Sequence, residues 1–230
     1  MDTWAKFLIL IVSAYLFGSI PLSYLVARAR GVDLRKQGTQ QTGGSNLWHT
    51  TSRTLGVLVG AFDLLKGAFM VYCAWLWGLD AGLQIFIGLG AIIGHNWPVF
   101  LRFHGGRGIA TTIGIIILTP ILNRDVITFW PLIGCVAVGI GSVIFFRRTP
   151  VPVLLAFITM PIVSAAVLEP TLVATGYTAI LLIAIIKRLV AQASTEKQQV
   201  SLGELLLNRF LFDRDIRNRA DWVHRKADEK

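Results

Sequence analysis

The chain has 230 residues, of which 54% are hydrophobic and 15% charged, with a net charge of +9 and a mean hydropathy of +0.63. That balance excludes an ordinary water-soluble domain. The basic residues fall between apolar runs rather than along one soluble face, which excludes nucleic acid as the partner.

Seven apolar spans follow in chain order, at about 5–27, 54–78, 82–101, 108–121, 127–146, 150–168 and 171–187. The expected fold is all-α, a polytopic integral membrane protein of seven transmembrane helices. The first run is too long for a signal-peptide core and leads into Arg28, Arg30, Arg35 and Lys36 instead of a small-residue cleavage site, so it is expected to be retained. The fourth is short and expected to be tilted, re-entrant or buried against its neighbours. The breaks carry turn residues: Gly78-Leu79-Asp80, Asn123-Arg124-Asp125, Arg147-Arg148-Thr149-Pro150 and Glu169-Pro170.

Lys and Arg set the orientation. Of the 22, 19 lie in alternate segments: residues 28–53, 102–107, 147–148 and 187–230. This asymmetry predicts that those segments are cytoplasmic and the N-terminus outside. The chain divides into a membrane domain, residues 1–190, and a basic tail, residues 191–230. The tail pairs Leu202, Leu205, Leu206, Leu207, Phe210 and Leu211 with Arg209, Arg214, Arg217, Arg219 and Arg225. This pattern predicts an amphipathic helix lying on anionic lipid or packed beneath the bundle, with no chemistry of its own. Cys73 and Cys135 both sit in apolar segments, so neither a disulfide nor a zinc site is expected.

Two cytoplasmic loops are rich in Gly, hydroxyl, amide and cationic residues. The first runs from Asp33 through Arg35, Gly38, Thr39, Gln41, Gly43 and Ser45 to Asn46 and His49. The second runs from Gly94 and His95 to His104, Gly105, Gly106, Arg107 and Gly108, and opens into an apolar helix. Glycines let backbone N–H groups converge on an anion. A helix N-terminus adds partial positive charge, and arginine matches phosphate oxygens. The pattern fits phosphate binding; it equally fits tight turns decorated with inside-facing charge. Lys66, three residues after Asp63 in an apolar helix, is either a functional cation paired with that carboxylate or a snorkelling side chain. Each of His49, His95 and His104 is either a general base or an ordinary interfacial histidine. Metal-ligand spacing is absent, and no metal or cofactor is expected.

At these residues the chain resembles the membrane acyltransferases that move an acyl group from acyl-phosphate onto glycerol 3-phosphate. Three blocks carry the resemblance: Gly18-Ser19-Ile20-Pro21 running on to Asn46; Asp63 with Lys66-Gly67; and Gly94-His95 through Pro98 to Gly105-Gly106-Arg107-Gly108-Ile109-Ala110-Thr111. The resemblance implies a seven-helix enzyme of the bacterial inner membrane that makes lysophosphatidic acid for phospholipid biosynthesis, without cofactor. Its partners would be acyl-phosphate, glycerol 3-phosphate and membrane lipid. It places Thr39, His95 and Lys66 at the acceptor. Arg35, Gly38, Gln41, Gly43, Ser45, Asn46, His49, His104, Gly105, Gly106 and Arg107 would hold phosphate. The chain departs from the family pattern at Thr39, Gln40, Gln41, His49, His104 and Arg107. Two alternatives stay open: a paralogue with another acceptor, and a non-catalytic membrane protein that binds phospholipid precursors.

Overall fold

The structure is a computed structural model that describes residues 1–124, 128–146, 150–168, 172–190, 201–215 and 217–218. Within them every regular element is helical: α1 Thr3–Gly18, α2 Leu22–Arg28, α3 Gly44–Thr50, α4 Arg53–Leu76, α5 Ala81–Asn96, α6 Ile109–Asn123, α7 Phe129–Phe145, α8 Val151–Leu168, α9 Leu172–Leu189 and α10 Leu202–Phe212, with a 3-10 turn at Val99–Leu101. Four stretches are long and apolar enough to cross a membrane: Thr3–Arg28, Arg53–Leu76, Ala81–Leu101 and Leu172–Leu189. The apolar helices at Ile109–Asn123, Phe129–Phe145 and Val151–Val167 are shorter. The turn residues Asp125, Arg147 to Thr149 and Glu169-Pro170 lie outside the described residues, as do 191–200 and 219–230 of the tail.

Helix α5 is the axis of the bundle. Twelve of its 16 residues are buried, and α1, α4, α6 and α9 all pack on it. Its Ile85, Leu89 and Ile92 form the main core with Val71 of α4, Ile115 and Ile116 of α6, Phe157 and Met160 of α8, and Tyr177 and Ile180 of α9. Helices α7 and α8 pair with each other and join the bundle through α8 against α9. The exterior is apolar: Leu8 and Val12 of α1, Leu58 and Leu65 of α4, and Ile140 and Ile144 of α7 are all exposed. The buried side chains include Asp63, Lys66, Gln84, His95 and Asn96. Apolar outside and polar within is the arrangement a lipid solvent selects.

Glycine sets the closest crossings. A Cβ on Gly67 of α4 would run into the Thr111 carbonyl and sit 3.0 Å from Ile115 Cγ1; a Cβ on Gly114 of α6 would run into the Leu64 carbonyl and sit 3.0 Å from the Ala68 amide nitrogen. Gly18 and Gly94 make the same mutual approach between α1 and α5. In lipid, where burial between helices gains no hydrophobic energy, such contacts let dispersion hold the bundle. Gly114→Ala therefore drives a methyl into rigid backbone. It is expected to cost about 1–3 kcal/mol and to lower the melting temperature in detergent. Gly141→Ala, where a Cβ meets nothing within 4 Å, is the control that leaves it unchanged.

Two expected spans are interrupted. The run 5–27 breaks after Gly18, because Pro21 has no amide hydrogen and restricts the residue before it. The run 82–101 stops as a helix at Asn96, since Pro98 forces the preceding backbone out of the α region. The first polar loop also contains a helix, α3, which hydropathy does not reveal.

Candidate active site

The two polar loops meet at one end of the bundle. The first is organised by Asn46, which is 1% exposed. Its Oδ1 accepts from the Thr39 amide at 2.9 Å. Its Nδ2 donates to the carbonyls of Leu34, Gln37 and Gln41 at 3.1, 3.0 and 3.0 Å. One amide thus pins a loop whose own backbone bonds are two turns, Lys36 amide to Asp33 carbonyl and Gln40 amide to Gln37 carbonyl. Gln40, buried in that loop, has a left-handed φ of 59°.

The second loop doubles back over the end of α5. The Gly106 amide donates to the His95 carbonyl at 3.1 Å. A Cβ on Gly106 would strike the His95 imidazole; one on Gly105 would lie 2.5 Å from Pro98 Cδ and from the Asn96 carbonyl oxygen. Only a chain without side chains passes this close above the ring. Arg102 and Phe103 are consecutive left-handed residues with φ of 51° and 65°. Gly108, at φ 71°, caps α6 and releases its first amides toward the cavity.

Beneath the loops lies a buried charge cluster. Asp63 Oδ1 is 3.0 Å from Lys66 Nζ and 3.5 Å from His95 Nδ1. Lys66 Nζ also donates to the carbonyls of Gly18 and Ile20 at 3.4 and 2.5 Å. Both carbonyls lie at the break before Pro21, where the Ile20 carbonyl also accepts from the Leu22 amide at 3.1 Å. The break in the first span thus satisfies the lysine that the second span buries.

Above His95 opens a cavity of about 570 Å³. Of the expected site residues, Thr39, Gln41, Gly43, Ser45, Asn46, His95, Gly106 and Arg107 line it. Six others do not. Lys66 lies behind Asp63 on a separate small cavity. Gly38 and Gly105 are buried in loop backbone. Arg35 turns outward onto Asp33, with its NH2 2.9 Å from Oδ2, and its guanidinium carbon lies 4.8 Å from the Tyr24 ring centroid. The Arg35 hydrogen bond holds the Asp33 carboxyl below its usual range. His49 and His104 are exposed, and His104 Nδ1 contacts the Arg102 carbonyl at 2.7 Å.

Arg107 does not simply face the cavity. Its Nε donates to Gln41 Oε1 at 3.0 Å, its NH1 to the Lys187 carbonyl at 2.8 Å and its NH2 to the Asp213 carbonyl at 3.1 Å. The Asp213 carboxylate lies 3.0 Å from the same NH2. Burial pushes the Asp213 carboxyl up, against the pull of Arg107, Arg188, Arg214 and Lys187. Burial pushes the Arg107 guanidinium down. The tail expected to carry no chemistry therefore reaches the site, and Phe212, Asp213 and Arg214 form part of its wall.

Sequence reasoning missed three of these residues. Asp63 stood out only as the partner of Lys66; its contact with His95 joins two different helices. Asp213 and Arg214 sit in a basic amphipathic stretch, where nothing in the sequence separates them from their neighbours.

A family model described as glycerol-3-phosphate acyltransferase matches residues 8–194. The chain belongs to that family. A Dehalococcoides mccartyi protein named glycerol-3-phosphate acyltransferase 4 is 39% identical to it over 96% of this chain and 94% of its own. A second protein of that species, glycerol-3-phosphate acyltransferase 5, is 37% identical over the same shares. The crystal structure of PlsY, an integral membrane glycerol 3-phosphate acyltransferase in its glycerol 3-phosphate form, is similar with a TM-score of 0.66. It is 28% identical and covers 79% of this chain and 88% of that one. The three blocks of polar loops and buried lysine all fall within the matched residues.

Proposed function

We propose that the chain transfers an acyl group from acyl-phosphate to glycerol 3-phosphate, forming lysophosphatidic acid for phospholipid biosynthesis. One observation supports this most: a histidine backed by a carboxylate opens onto the same cavity as an arginine and a glycine-capped helix N-terminus. A base and an anion site share one chamber, of a size that suits two small phosphorylated headgroups.

The chemistry follows from that placement. With Asp63 at Nδ1, the proton of His95 resides there and Nε2 is left to accept. Nε2 takes the proton of the glycerol 3-phosphate hydroxyl as its oxygen attacks the acyl carbonyl carbon. The bond from that carbon to the phosphate oxygen breaks, and inorganic phosphate leaves with the bonding pair. Thr39 orients the acceptor, and Lys66 holds Asp63 in place from behind. The amides of Ile109 and Ala110 at the start of α6, with Arg107, stabilise charge on the departing phosphate. Ile109, Ile113 and Phe212 give the acyl chain an apolar wall.

In this reading the four long stretches and the three shorter apolar helices all span the bacterial inner membrane. The N-terminus is outside, and the loops, tail and substrates are on the cytoplasmic side. The positive-charge asymmetry supports that orientation. Residues 1–190 form the membrane domain and 191–230 a cytoplasmic tail.

The test is purified protein given palmitoyl phosphate and glycerol 3-phosphate, with phosphate release followed against an acceptor-free control. Acceptor-dependent release with lysophosphatidic acid formed is the expected outcome. Release that ignores glycerol 3-phosphate but responds to another polyol phosphate would move the assignment to a different acceptor.

A further inference from the structure

The cavity has a charge problem that residues 1–190 alone do not solve. Among the described residues its lining holds two permanent cations, Arg107 and Arg214. The Arg107 fork is largely committed to Gln41, Lys187 and Asp213. Lys187 is turned to the Asn96 carbonyl and stacks 4.9 Å from the Trp97 ring centroid. Arg188 donates to the carbonyls of Phe210 and Pro150 at 3.1 and 3.2 Å. Arg35, His49 and His104 lie elsewhere. Two phosphorylated substrates nevertheless need cationic donors in this chamber.

The tail brings one there by a built arrangement. Helix α10 ends at Asp213 in the left-handed region, φ 55°, and this turns the chain back under the bundle. Arg209 holds the turn: its Nε lies 2.6 Å from Asp215 Oδ1, and its NH1 donates to the Leu189 carbonyl at 2.9 Å. Asp213 then meets Arg107, and Arg214 follows it into the cavity wall, 7% exposed. Around Asp213 stand Arg107, Lys187, Arg188 and Arg214. With Arg209 and its partner Asp215 counted as well, five cations face two carboxylates, which leaves positive charge for an anion to complete. The family model ends at residue 194, so this wall lies beyond the part of the chain that defines the family.

We propose that residues 201–215 are part of the active site, with Arg214 a phosphate-binding residue and Asp213 the residue that positions it by docking on Arg107. The identity of the ligand as glycerol 3-phosphate rests on the acyl-transfer reading above. The placement of a phosphate subsite against the tail does not.

The experiment uses the full-length protein in detergent, with Arg214→Gln, Arg214→Lys and Asp213→Asn. Turnover of palmitoyl phosphate gives KM and kcat, calorimetry gives affinity for glycerol 3-phosphate, and thermal denaturation reports folding. Losing one charge-assisted contact should raise KM and Kd for glycerol 3-phosphate by on the order of ten- to a hundredfold in Arg214→Gln, with a smaller fall in kcat. Arg214→Lys should recover part of that loss. Asp213→Asn should weaken binding in the same direction, because the docking contact is gone. Unchanged KM and Kd in a folded Arg214→Gln protein would overturn the proposal. So would Asp213→Asn of raised activity, the mark of a tail that blocks the cavity. If the wild type binds glycerol 3-phosphate without turning it over, and Arg214→Gln loses that binding, the acyl-transfer assignment fails and the subsite stands. If the wild type turns nothing over and binds neither glycerol 3-phosphate nor inorganic phosphate, both fall.

Discussion

His95→Gln is expected to lower kcat by roughly 10²–10⁴ while KM for glycerol 3-phosphate moves only a few-fold. Glutamine approximates the imidazole in volume and polarity and has no nitrogen that takes a proton at neutral pH. The ring is 9% exposed, under Gly106 and beside Asp63, so the change leaves no large void and the melting temperature should fall little. The readout is initial phosphate release from palmitoyl phosphate at saturating acceptor. A variant that keeps a third or more of the wild-type kcat would remove His95 from the proton transfer. The surviving chemistry would then be positioning and phosphate stabilisation alone.

Asp63→Leu is expected to damage both stability and activity, and a second substitution separates the two. The side chains of Lys66 and Asp63 are 1% and 6% exposed. Removing the carboxylate leaves a buried ammonium with the Gly18 and Ile20 carbonyls and the Phe62 ring but no counter-charge. Breaking such a pair costs about 3–5 kcal/mol. Thermal denaturation in detergent should show this as a large single-site loss in the helix bundle. Replacing both partners, Asp63→Leu with Lys66→Met, removes the stranded charge and should restore most of the melting temperature. Activity should not return, because His95 still lacks its partner at Nδ1; kcat is expected to stay down by on the order of 10² or more. Recovery of activity together with stability would show that Asp63 serves only to satisfy Lys66.

The geometry also assigns the chain's breaks a common purpose. Pro21 ends α1 where Lys66 needs carbonyls, and Pro98 ends α5 just after His95. Gly105 and Gly106 then return the chain over the histidine. Each interruption costs regular hydrogen bonding inside an apolar bundle, and each is offset by a polar group of the site.

Much of this was legible in the residues. Runs of apolar side chains long enough for lipid, separated by turn residues and cationic clusters, determined an all-helical membrane protein. Hydropathy is a local property, and in lipid the backbone must satisfy itself within the helix. The polar loops stood out for the same local reason, and the three motif blocks carried the family. The partnerships were not local. Asp63 with His95, Arg107 with Asp213 and the glycine crossings of α4 with α6 join residues far apart in sequence, and no periodicity encodes which faces meet. Nor did composition distinguish Arg35, His49 and His104, which point away from the cavity, from Arg107 and Arg214, which wall it. A cation looks the same in sequence whether its donors face solvent, a carbonyl or a substrate. Only the packing of α5 against its neighbours, and the turn at Asp213 that brings the tail to the cavity wall, decided which charges share the chamber.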